Sequence, residues 1–455
     1  MSVTNEKISF LERFSYGCGD LGCNIIYSAM SAFLLFYYTD YVHVSAAVVG
    51  TIMLVSRLFD GLTDLIMGVI VDRTKSRFGK ARPWILRMSI PFAIAGVLLF
   101  TVPEGLSETS KIIYIFITYN LVSSVIYTAI NIPYATLNAL ITQDQYERSV
   151  LSIFRMLLAT CGTLIITNLT LPLVEYFGNN TSAWTKTFCV FGVLAVIVFM
   201  INFFGTKERV QASATTVKDD LPLSKGIVVL FSNKYWIMIT LTLVLIFINY
   251  ALNGGAAVYY SKVILNDATL VGPMNLVSCV VQIVCMLFTA FIIKKIGKRN
   301  MLILGALVYG LGFLMFAFGN SYTWIMLASA VKGIGNAGIA SCMFAIVSDT
   351  IEYGEWKTGF RTEGLINSAS SFGFKVGNGL GSAMLGWILA LGGYLETAAI
   401  QSDSAVFAIN SLFIYIPVIA VLLEVVIMYF YALDKEYDGI VSDLKNGKNG
   451  VRVNG

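Results

Sequence analysis

The chain has 455 residues, of which 57% are hydrophobic and 13% are charged, and its formal net charge is +4. A soluble domain carries about 25% charged residues. This composition therefore excludes a protein whose entire surface faces water and indicates that lipid is the solvent. The small positive charge is not gathered into a stripe, which argues against a nucleic-acid partner.

Apolar runs of about 20 residues, the length that crosses a bilayer as a helix, recur along the chain. They predict twelve spans, at 14–38, 47–71, 84–102, 112–140, 150–175, 185–204, 235–260, 269–293, 301–318, 323–347, 364–392 and 405–431. The first ten residues lack the apolar segment and cleavage site of a signal peptide. We therefore expect the first span itself to direct membrane insertion.

Positive charges alternate from one predicted loop to the next. Lys and Arg are concentrated in the loops 72–83, 205–234 and 294–300, and they are absent from the loops 39–46, 319–322 and 393–404. Loops rich in Lys and Arg stay in the cytoplasm. We therefore expect a multi-pass protein of the plasma (inner) membrane with both termini in the cytoplasm.

The polar segment TKERVQASATTVKDDLPLSK divides the chain into halves of similar size. It predicts an N-terminal six-helix bundle (1–204), a cytoplasmic linker (205–234) and a C-terminal six-helix bundle (235–432). The remaining residues, 433–455, are polar and are expected to form a disordered cytoplasmic tail. The fold class is thus an all-α membrane protein with the major facilitator fold, in which substrate binds near the bilayer midplane.

The predicted second span contains the charged residues Arg57, Asp60 and Asp64. A charge at the centre of a membrane helix costs about 2.5–3.5 kcal/mol, which makes these residues functional candidates. Asp60 and Asp64 are four positions apart and lie on one helix face. Two such carboxylates share a proton or coordinate a cation, with Arg57 neutralising one charge. The alternative is an internal ion-pair cluster that holds helices together.

Other predicted spans contain further polar candidates, namely Asp20, Thr128, Asn131, Arg155 and Lys375. Pro133 removes a helix hydrogen bond near Asn131 and frees a carbonyl for a ligand, or it only kinks the helix. Lys332 and Glu424 are weaker candidates, because snorkelling or structural pairing explains them equally well.

Two strings, at 17–22 and 333–338, match the G-x-G-x-x-G dinucleotide fingerprint. That fingerprint needs a preceding strand, whereas both strings lie in predicted membrane helices, so we expect close helix packing instead. The same holds for Gly373, Gly377 and Gly381. The seven cysteines show no metal-ligand spacing, and no nucleophile–base pair is visible. An enzyme and a bound cofactor are therefore not expected.

Several strings together resemble the glycoside–pentoside–hexuronide:cation symporters of the major facilitator superfamily, the group of melibiose permease and the glucuronide transporters. The strings are YGCGDLGCN (16–24), FYYTD (36–40), RLFDGLTDLIMG (57–68), SRFGKARPWIL (76–86), NIPYATL (131–137) and SDTIEYGEWKTGFRTEG (348–364). The resemblance runs from about residue 11 to 432.

The resemblance implies a secondary active transporter that imports a glycoside or related sugar, a hexuronide or pentoside among them, by alternating access with H⁺ or Na⁺. It implies a sugar site and a cation site, and the cation site is the only place where a metal ion, Na⁺, is expected. The cation site comprises Asp60, Asp64, Thr128 and Asn131, and the sugar site comprises Asp20, Asn24, Asn131, Arg155 and Lys375. The partners are then a sugar, a monovalent cation and the bilayer, and the protein acts as a monomer.

Cytoplasmic charges are expected to form ion pairs that hold the inner side closed. The candidates are Asp72, Arg73, Arg77, Asp349, Glu352 and Arg361, with Asp349 and Arg361 predicted to pair.

Four positions depart from melibiose permease, which has a Lys-Asp pair at Cys23-Asn24, an Asp at Asn131 and a sugar-stacking Trp at Ala135. These departures argue against melibiose as the substrate and leave the choice between H⁺ and Na⁺ open. Arg155 and Lys375, with fewer opposing carboxylates, suit an anionic sugar such as a hexuronide. The alternatives are an uncoupled sugar facilitator and a membrane sugar sensor that does not transport.

Overall fold

The structure is a computed structural model that describes residues 8–142, 145–209, 230–359, 363–398 and 400–446. All regular secondary structure in these ranges is helical. The helices up to the central segment are α1 (Phe10–Asp40), α2 (Ala46–Arg73), α3 (Arg82–Leu99), α4 (Glu108–Asn120), α5 (Tyr127–Ile141), α6 (Gln145–Tyr176) and α7 (Thr181–Gly205). A π-helical segment, Leu121–Ile126, joins α4 to α5 without a break.

The helices after the central segment are α8 (Lys234–Val263), α9 (Val271–Ile296), α10 (Lys298–Met315), α11 (Tyr322–Thr358), α12 (Glu363–Leu391), α13 (Asp403–Asn410), α14 (Ile416–Tyr429) and α15 (Leu433–Lys445). A short 3₁₀ turn, Ala268–Leu270, precedes α9. A second π-helical segment, Ser411–Tyr415, joins α13 to α14.

Twelve helical spans in the part of the chain that the structure describes are long enough to cross a bilayer. Ten are long and apolar enough by composition, and these count α4–α5 and α13–α14 as one span each. The other two, α2 and α12, have 28 and 29 residues and extend about 40 Å at 1.5 Å per residue. In lipid every backbone polar group must be satisfied within the segment, which is why these apolar runs form helices. The predicted fold class is confirmed.

Side-chain caps mark where several of these helices begin. Ser9 accepts a hydrogen bond from the backbone N–H of Glu12, and Asn233 accepts one from that of Trp236. Such caps satisfy N–H groups that the first helical turn leaves unpaired. Polar residues at span boundaries thus fix the entry points of the apolar helices.

Contacts divide the described chain into two compact units. The first unit contains residues up to 215 together with 266–272 and 389–401, and the second contains 216–265, 273–388 and the residues from 402 onward. Within the first unit, α1 packs along α6 and α7, and α3 packs against α5 and α7. Within the second unit, α10 packs against α11 and α14, and α8 packs against α14.

The glycine strings are helix-packing faces, as predicted. A Cβ atom added at Gly335 would lie 2.2 Å from the backbone nitrogen of Tyr309, and one at Gly305 would lie 2.8 Å from the carbonyl oxygen of Gly335. In the first unit, a Cβ at Gly17 would lie 2.7 Å from the carbonyl oxygen of Phe154. Only a residue without a side chain permits backbones to approach this closely in a membrane.

The prediction of a disordered tail after Ala432 is wrong for residues 433–445, which form α15. Its apolar residues recur at helical spacing and pack into the core of the second unit: Leu433, Tyr437, Ile440 and Leu444. Asp434 also accepts a hydrogen bond of 2.8 Å from the backbone N–H of Arg299, at the start of α10. The apolar stripe therefore decides the structure of a segment whose average composition is polar.

Candidate functional site

A polar ladder joins α2 to the α4–α5 span in the first unit. Asn120 Nδ2 donates to Ser56 Oγ at 2.8 Å, Ser124 Oγ donates to Asp60 Oδ1, and Thr128 Oγ1 donates to Asp64 Oδ1 at 3.1 Å. Each rung joins residues that are 64 positions apart. Because residues four apart share a helix face, both carboxylates point at one row of neutral hydrogen-bond donors.

The π-helical segment carries the middle rung of the ladder. Ser124 lies within Leu121–Ile126 and is buried. A π turn widens the helix locally, and such turns are frequent at functional sites. Ser56, Asn120 and Ser124 were not among the predicted site residues. The four-residue repeat Asn120, Ser124, Thr128 in an otherwise apolar span is the sequence signal that indicates them.

Arg57 compensates the charge of Asp60. Its Nη1 atom lies 3.1 Å from Asp60 Oδ2, and the two side chains are only 12% and 4% exposed. The guanidinium also lies 5.5 Å from the centre of the Tyr27 ring, and Tyr27 stacks on Tyr127 with ring centres 5.2 Å apart. A buried ion pair is favourable only when further interactions satisfy its remaining groups. Ser124 and Tyr27 provide two such interactions, whereas the buried Arg57 Nε has no hydrogen-bond partner among the described residues.

Asn131 presents an acceptor that nothing described satisfies. Its Oδ1 atom is buried and has no hydrogen-bond partner among the described residues. Buried polar atoms are nearly always hydrogen-bonded, so an exception calls for a donor or a cation. Asn131 lies one helical turn beyond Thr128 on α5. No hydrogen bond in the described chain connects it to Asp60 or Asp64.

A second cluster brings together three of the predicted sugar-binding residues. Arg155 Nε on α6 donates to Asp20 Oδ2 on α1 at 2.9 Å. Asn24 Nδ2 donates to the backbone oxygen of Asp20 at 2.9 Å. The Arg155 guanidinium lies 5.1 Å from the centre of the Tyr134 ring, and Tyr134 stacks on Tyr16 at 5.0 Å. Charged, amide and aromatic groups converging in this way are typical of a small-molecule site.

The remaining substrate candidate, Lys375, lies on α12 in the second unit, where its side chain is half-buried. Ala135, at the position of the sugar-stacking Trp, is exposed on α5. The aromatic surface of the first unit is instead supplied by tyrosines, among them Tyr134, which was not a predicted site residue.

The predicted gating charges are only partly described. Arg73 is exposed at the end of α2, the Arg77 guanidinium lies 4.6 Å from the Phe78 ring centre, and Glu352 is half-buried on α11. Asp349 pairs with Lys298, whose Nζ atom lies 2.7 Å and 2.6 Å from its two oxygens. Lys298 was not predicted. Arg361 and the side chain of Asp72 lie outside the described residues, so the Asp349–Arg361 pair stays a prediction.

Further polar contacts within the first unit join the start of the central segment to α1 and α3, and join α1 to α6. Arg209 lies 2.7 Å from Glu12, and Arg13 lies 2.9 Å from Glu147. Glu208 accepts three backbone N–H groups at the start of α3, at 2.8–3.0 Å, from residues 80–82. A carboxylate at a helix N-terminus is stabilised by these donors and by the helix dipole.

Known proteins resemble the chain along almost its whole length. Residues 15–435 match the model of the family described as MFS/sugar transport protein. The isoprimeverose transporter of Lactiplantibacillus pentosus is 34% identical, over 97% of this chain and 93% of that protein. From Escherichia coli (strain K12), the inner membrane symporter YicJ is 32% identical and the glucuronide carrier protein homolog is 30% identical, each over 98% of this chain and 97% of the relative.

Among solved structures, the crystal structure of the nucleoside transporter NupG superposes with a TM-score of 0.64 at 13% identity, over 93% of this chain and all of that one. At this identity the likeness shows the fold alone. The family match and the sequence relatives confirm the predicted resemblance to the glycoside–pentoside–hexuronide:cation symporters. The chain therefore belongs to the MFS/sugar transport protein family, and it is a multi-pass membrane transporter rather than an enzyme.

Proposed function

We propose that the protein imports a glycoside or related sugar by symport with a monovalent cation, H⁺ or Na⁺. The observation that carries this proposal is the polar ladder of the first unit, in which Asp60 and Asp64 face hydroxyl groups in the interior of a membrane helix pair. An uncoupled facilitator has no need of two carboxylates at this depth, where each charge is costly.

The cation site is proposed at Asp60 and Asp64, with the hydroxyls of Ser124 and Thr128 and the amide oxygen of Asn131 as further ligands. All of these are oxygen donors, which suit Na⁺, and a carboxylate pair also accepts a shared proton. Arg57 already neutralises part of the charge of Asp60. A single positive charge therefore completes the neutralisation of the pair and permits the cluster to remain buried.

The sugar site is proposed at Asp20, Asn24 and Arg155, with Tyr134 as an aromatic surface and Asn131 between the two sites. Arg155 uses Nε for its bond to Asp20, and its terminal amino groups are left to donate to sugar hydroxyls. Because Asp20 neutralises the guanidinium, this cluster favours a neutral glycoside over a hexuronide. The relatives' names include both classes, an isoprimeverose transporter and a glucuronide carrier homolog. Lys375 is the remaining group that favours an anionic sugar.

Location and assembly are part of the proposal. The alternation of positive loops supports a plasma (inner) membrane protein with both termini in the cytoplasm. The protein is proposed to act as a monomer, with each cycle driven by binding of cation and sugar to one molecule.

The test is uptake of a panel of α- and β-galactosides, glucosides, xylosides and glucuronides into vesicles that carry the protein. Each sugar is offered under an imposed proton gradient and under an imposed sodium gradient. Accumulation of one sugar above its external concentration, lost in Asp60→Asn and kept in Asp403→Asn, supports symport and names sugar and ion. Asp403 is an exposed aspartate at the start of α13 and serves as the matched control.

Other outcomes contradict the proposal in distinct ways. Equilibration without accumulation, unchanged by Asp60→Asn, would make the protein a facilitator and the ladder structural. Sugar binding without any counterflow of labelled sugar would indicate a sensor. Accumulation of a glucuronide alone, lost in Lys375→Ala, would replace the neutral glycoside by a hexuronide.

A further inference from the structure

The interior of the second unit contains an acidic side chain that the proposed transport site does not use. Glu424 lies on α14 with 0% of its surface exposed. Its hydrogen bond in the described part of the chain comes from Asn249 on α8, whose Nδ2 donates to Glu424 Oε1 at 3.1 Å. No ion pair of the described residues involves Glu424. One amide donor is a weak partner for a fully buried carboxylate, because burying an isolated charge is costly.

Glu424 and Asn249 each have one side-chain oxygen that takes no part in the hydrogen bond between them, and these two oxygens complement one another. Glu424 Oε2 and Asn249 Oδ1 are both buried, and neither has a hydrogen-bond partner among the described residues. Both atoms are acceptors if the glutamate is ionised, so they repel rather than bind. A proton on Oε2 turns the carboxylate into a donor, and the neighbouring amide oxygen is the acceptor that it needs. One proton thus satisfies two orphaned atoms.

Among the described residues, no positive charge on the helices around Glu424 forms an ion pair with it. Arg299 of α10, a positive charge that contacts α14, donates to the backbone oxygens of Met428 and Tyr429 instead. α14 packs against α8 and α10. The titratable groups on these helices that interact electrostatically with Glu424 are the phenols of Tyr250 and Tyr309. Tyr250 donates its hydroxyl hydrogen to Asn336 Oδ1 at 2.6 Å. The buried Lys332 on α11 donates to Asn253 instead.

We propose that Glu424 and Asn249 form a proton-binding site of the second unit, separate from the carboxylates of α2. Glu424 takes the proton from water onto Oε2 and is a neutral carboxylic acid, and its O–H donates to Asn249 Oδ1. Together with the bond from Nδ2 this closes an acid–amide pair between α14 and α8. The proton leaves when water reaches the pair, so the contact between these two helices is proton-dependent.

A proton held at Glu424 makes the stability of the folded protein change with pH in a definite direction. In an unfolded chain a glutamate is ionised at neutral pH, whereas the folded chain keeps the proton on Glu424. Stability falls with pH wherever the folded state binds more protons than the unfolded state. The contribution of Glu424 to the folding equilibrium constant therefore decreases by up to about tenfold for each unit of rising pH. The decrease begins near the usual pKa of glutamate, about 4.3, and ends where the folded protein also releases the proton.

The test is infrared difference spectroscopy of the full chain in lipid nanodiscs at neutral pH. Subtracting the spectrum of Glu424→Gln from that of the unsubstituted protein should leave the carbonyl band of a protonated carboxylic acid. Glutamine keeps the shape of the acid and donates the same hydrogen bond, so the variant should fold. Glu108→Gln, at an exposed glutamate, is the matched control and should remove only a carboxylate band. A Glu424-dependent carboxylate band at neutral pH would overturn the proposal, and one that shifts with added sodium would assign a metal cation to the pair instead.

A second measurement does not depend on transport. Thermal unfolding is followed from the mildly acidic through the neutral range, above the usual pKa of glutamate of about 4.3, for the unsubstituted protein and for Glu424→Gln. The unsubstituted protein should lose stability relative to the variant as the pH rises. Parallel pH profiles would show that no proton is held at Glu424 in the folded state. Failure of symport in the uptake assay would leave both readouts unaffected, so the two proposals fail separately.

Discussion

The two units treat charge inside the membrane in different ways. In the first unit, buried charges are paired with opposite charges: Arg57 with Asp60, and Arg155 with Asp20. In the second unit, Lys332 and Glu424 are each held by a neutral amide, Asn253 and Asn249 respectively. Three aromatic rings also enclose the Lys332 ammonium, with centres 4.4, 5.1 and 5.4 Å away: Phe313, Phe413 and Phe316.

This difference supports the proposal that the first unit binds the transported ligands. A cation that approaches Asp60 competes with Arg57, and a sugar hydroxyl competes for the Asp20–Arg155 pair. Paired charges therefore offer two states of similar energy that a ligand can switch between. A charge held by an amide, such as Lys332 or Glu424, forms no ion pair among the described residues. Its role is then to bind a proton, as proposed for Glu424, or to fix helix packing.

The largest effect is expected from removing the carboxylate of the first pair. Asp60→Asn leaves the Arg57 guanidinium buried without compensation, which costs about 3–5 kcal/mol, and it removes a proposed cation ligand. We expect the cation to lose its effect on sugar binding, a coupling of about 5- to 150-fold, with loss of accumulation in vesicles. The double variant Arg57→Gln/Asp60→Asn should regain stability in thermal unfolding without regaining accumulation. Recovery of accumulation in the double variant would show that Asp60 serves only to balance Arg57.

The second pair should respond as a unit. Asp20→Asn and Arg155→Gln should each weaken sugar binding. The loss of sugar affinity in the double variant should be smaller than the sum of the losses in the two single variants. We expect an interaction energy of about 0.5–3 kcal/mol in a double-mutant cycle of sugar affinity. Strictly additive effects would mean that the two residues contact the sugar independently or not at all.

Replacing Lys332, the cation of the second unit that a neutral amide holds, should cost less stability than replacing Arg57, which is paired with Asp60 in the first unit. Lys332→Met places a side chain of similar volume among three aromatic rings and leaves no opposite charge behind. The free energy of unfolding of this variant should therefore differ from that of the unsubstituted protein by no more than about 1 kcal/mol. Arg57→Met should cost about 3–5 kcal/mol, because it strands Asp60. Thermal or denaturant unfolding of the two variants compares them directly. Equal losses would remove the distinction between paired and lone charges.

A smaller effect than that of Arg57→Met is expected where a charge near the end of α1 has a neutral partner. Tyr394 donates its hydroxyl hydrogen to Asp40 Oδ1 at 2.8 Å, inside the first unit. Burial and the negative charge of Asp40 raise the pKa of the Tyr394 phenol, so this hydrogen bond persists across the neutral range. Tyr394→Phe should lower the free energy of unfolding by about 1.5–3 kcal/mol at most, equally across the neutral range, which lies well above the usual pKa of aspartate, about 3.9, and below that of tyrosine, about 10. A loss that varied with pH within that range would contradict the assignment.

Composition and periodicity predict much of the fold. Apolar runs of about 20 residues locate the spans, because lipid leaves the backbone few alternatives to a helix. The spacing of Asp60 and Asp64 indicates a shared face without any knowledge of neighbours. The tail shows the limit of composition: residues 433–445 are polar on average, but Leu433, Ile440 and Leu444 recur at helical spacing and pack into the core.

The partners of the site residues are harder to predict than the residues themselves. Asn120, Ser124 and Thr128 repeat every four positions, yet a sequence does not say that α2 lies beside them in the register that joins Asp60 to Ser124. The π-helical segment shifts that register and carries no distinctive residue pattern. Lys298 was missed as the partner of Asp349 for the same reason. Other lysines lie close to Lys298 in the sequence, and only packing selects one of them as the partner.

The central claim is that a cation at the ladder prepares the sugar site of the same unit. Its most direct test is equilibrium binding of the accumulated sugar to purified protein, measured with and without the coupling cation, for the unsubstituted chain and for Asp60→Asn. We predict that the cation tightens sugar binding in the unsubstituted protein, that the sugar tightens cation binding by the same factor, and that both effects vanish in Asp60→Asn. An equal cation effect in Asp60→Asn, or none in the unsubstituted protein, would contradict the claim.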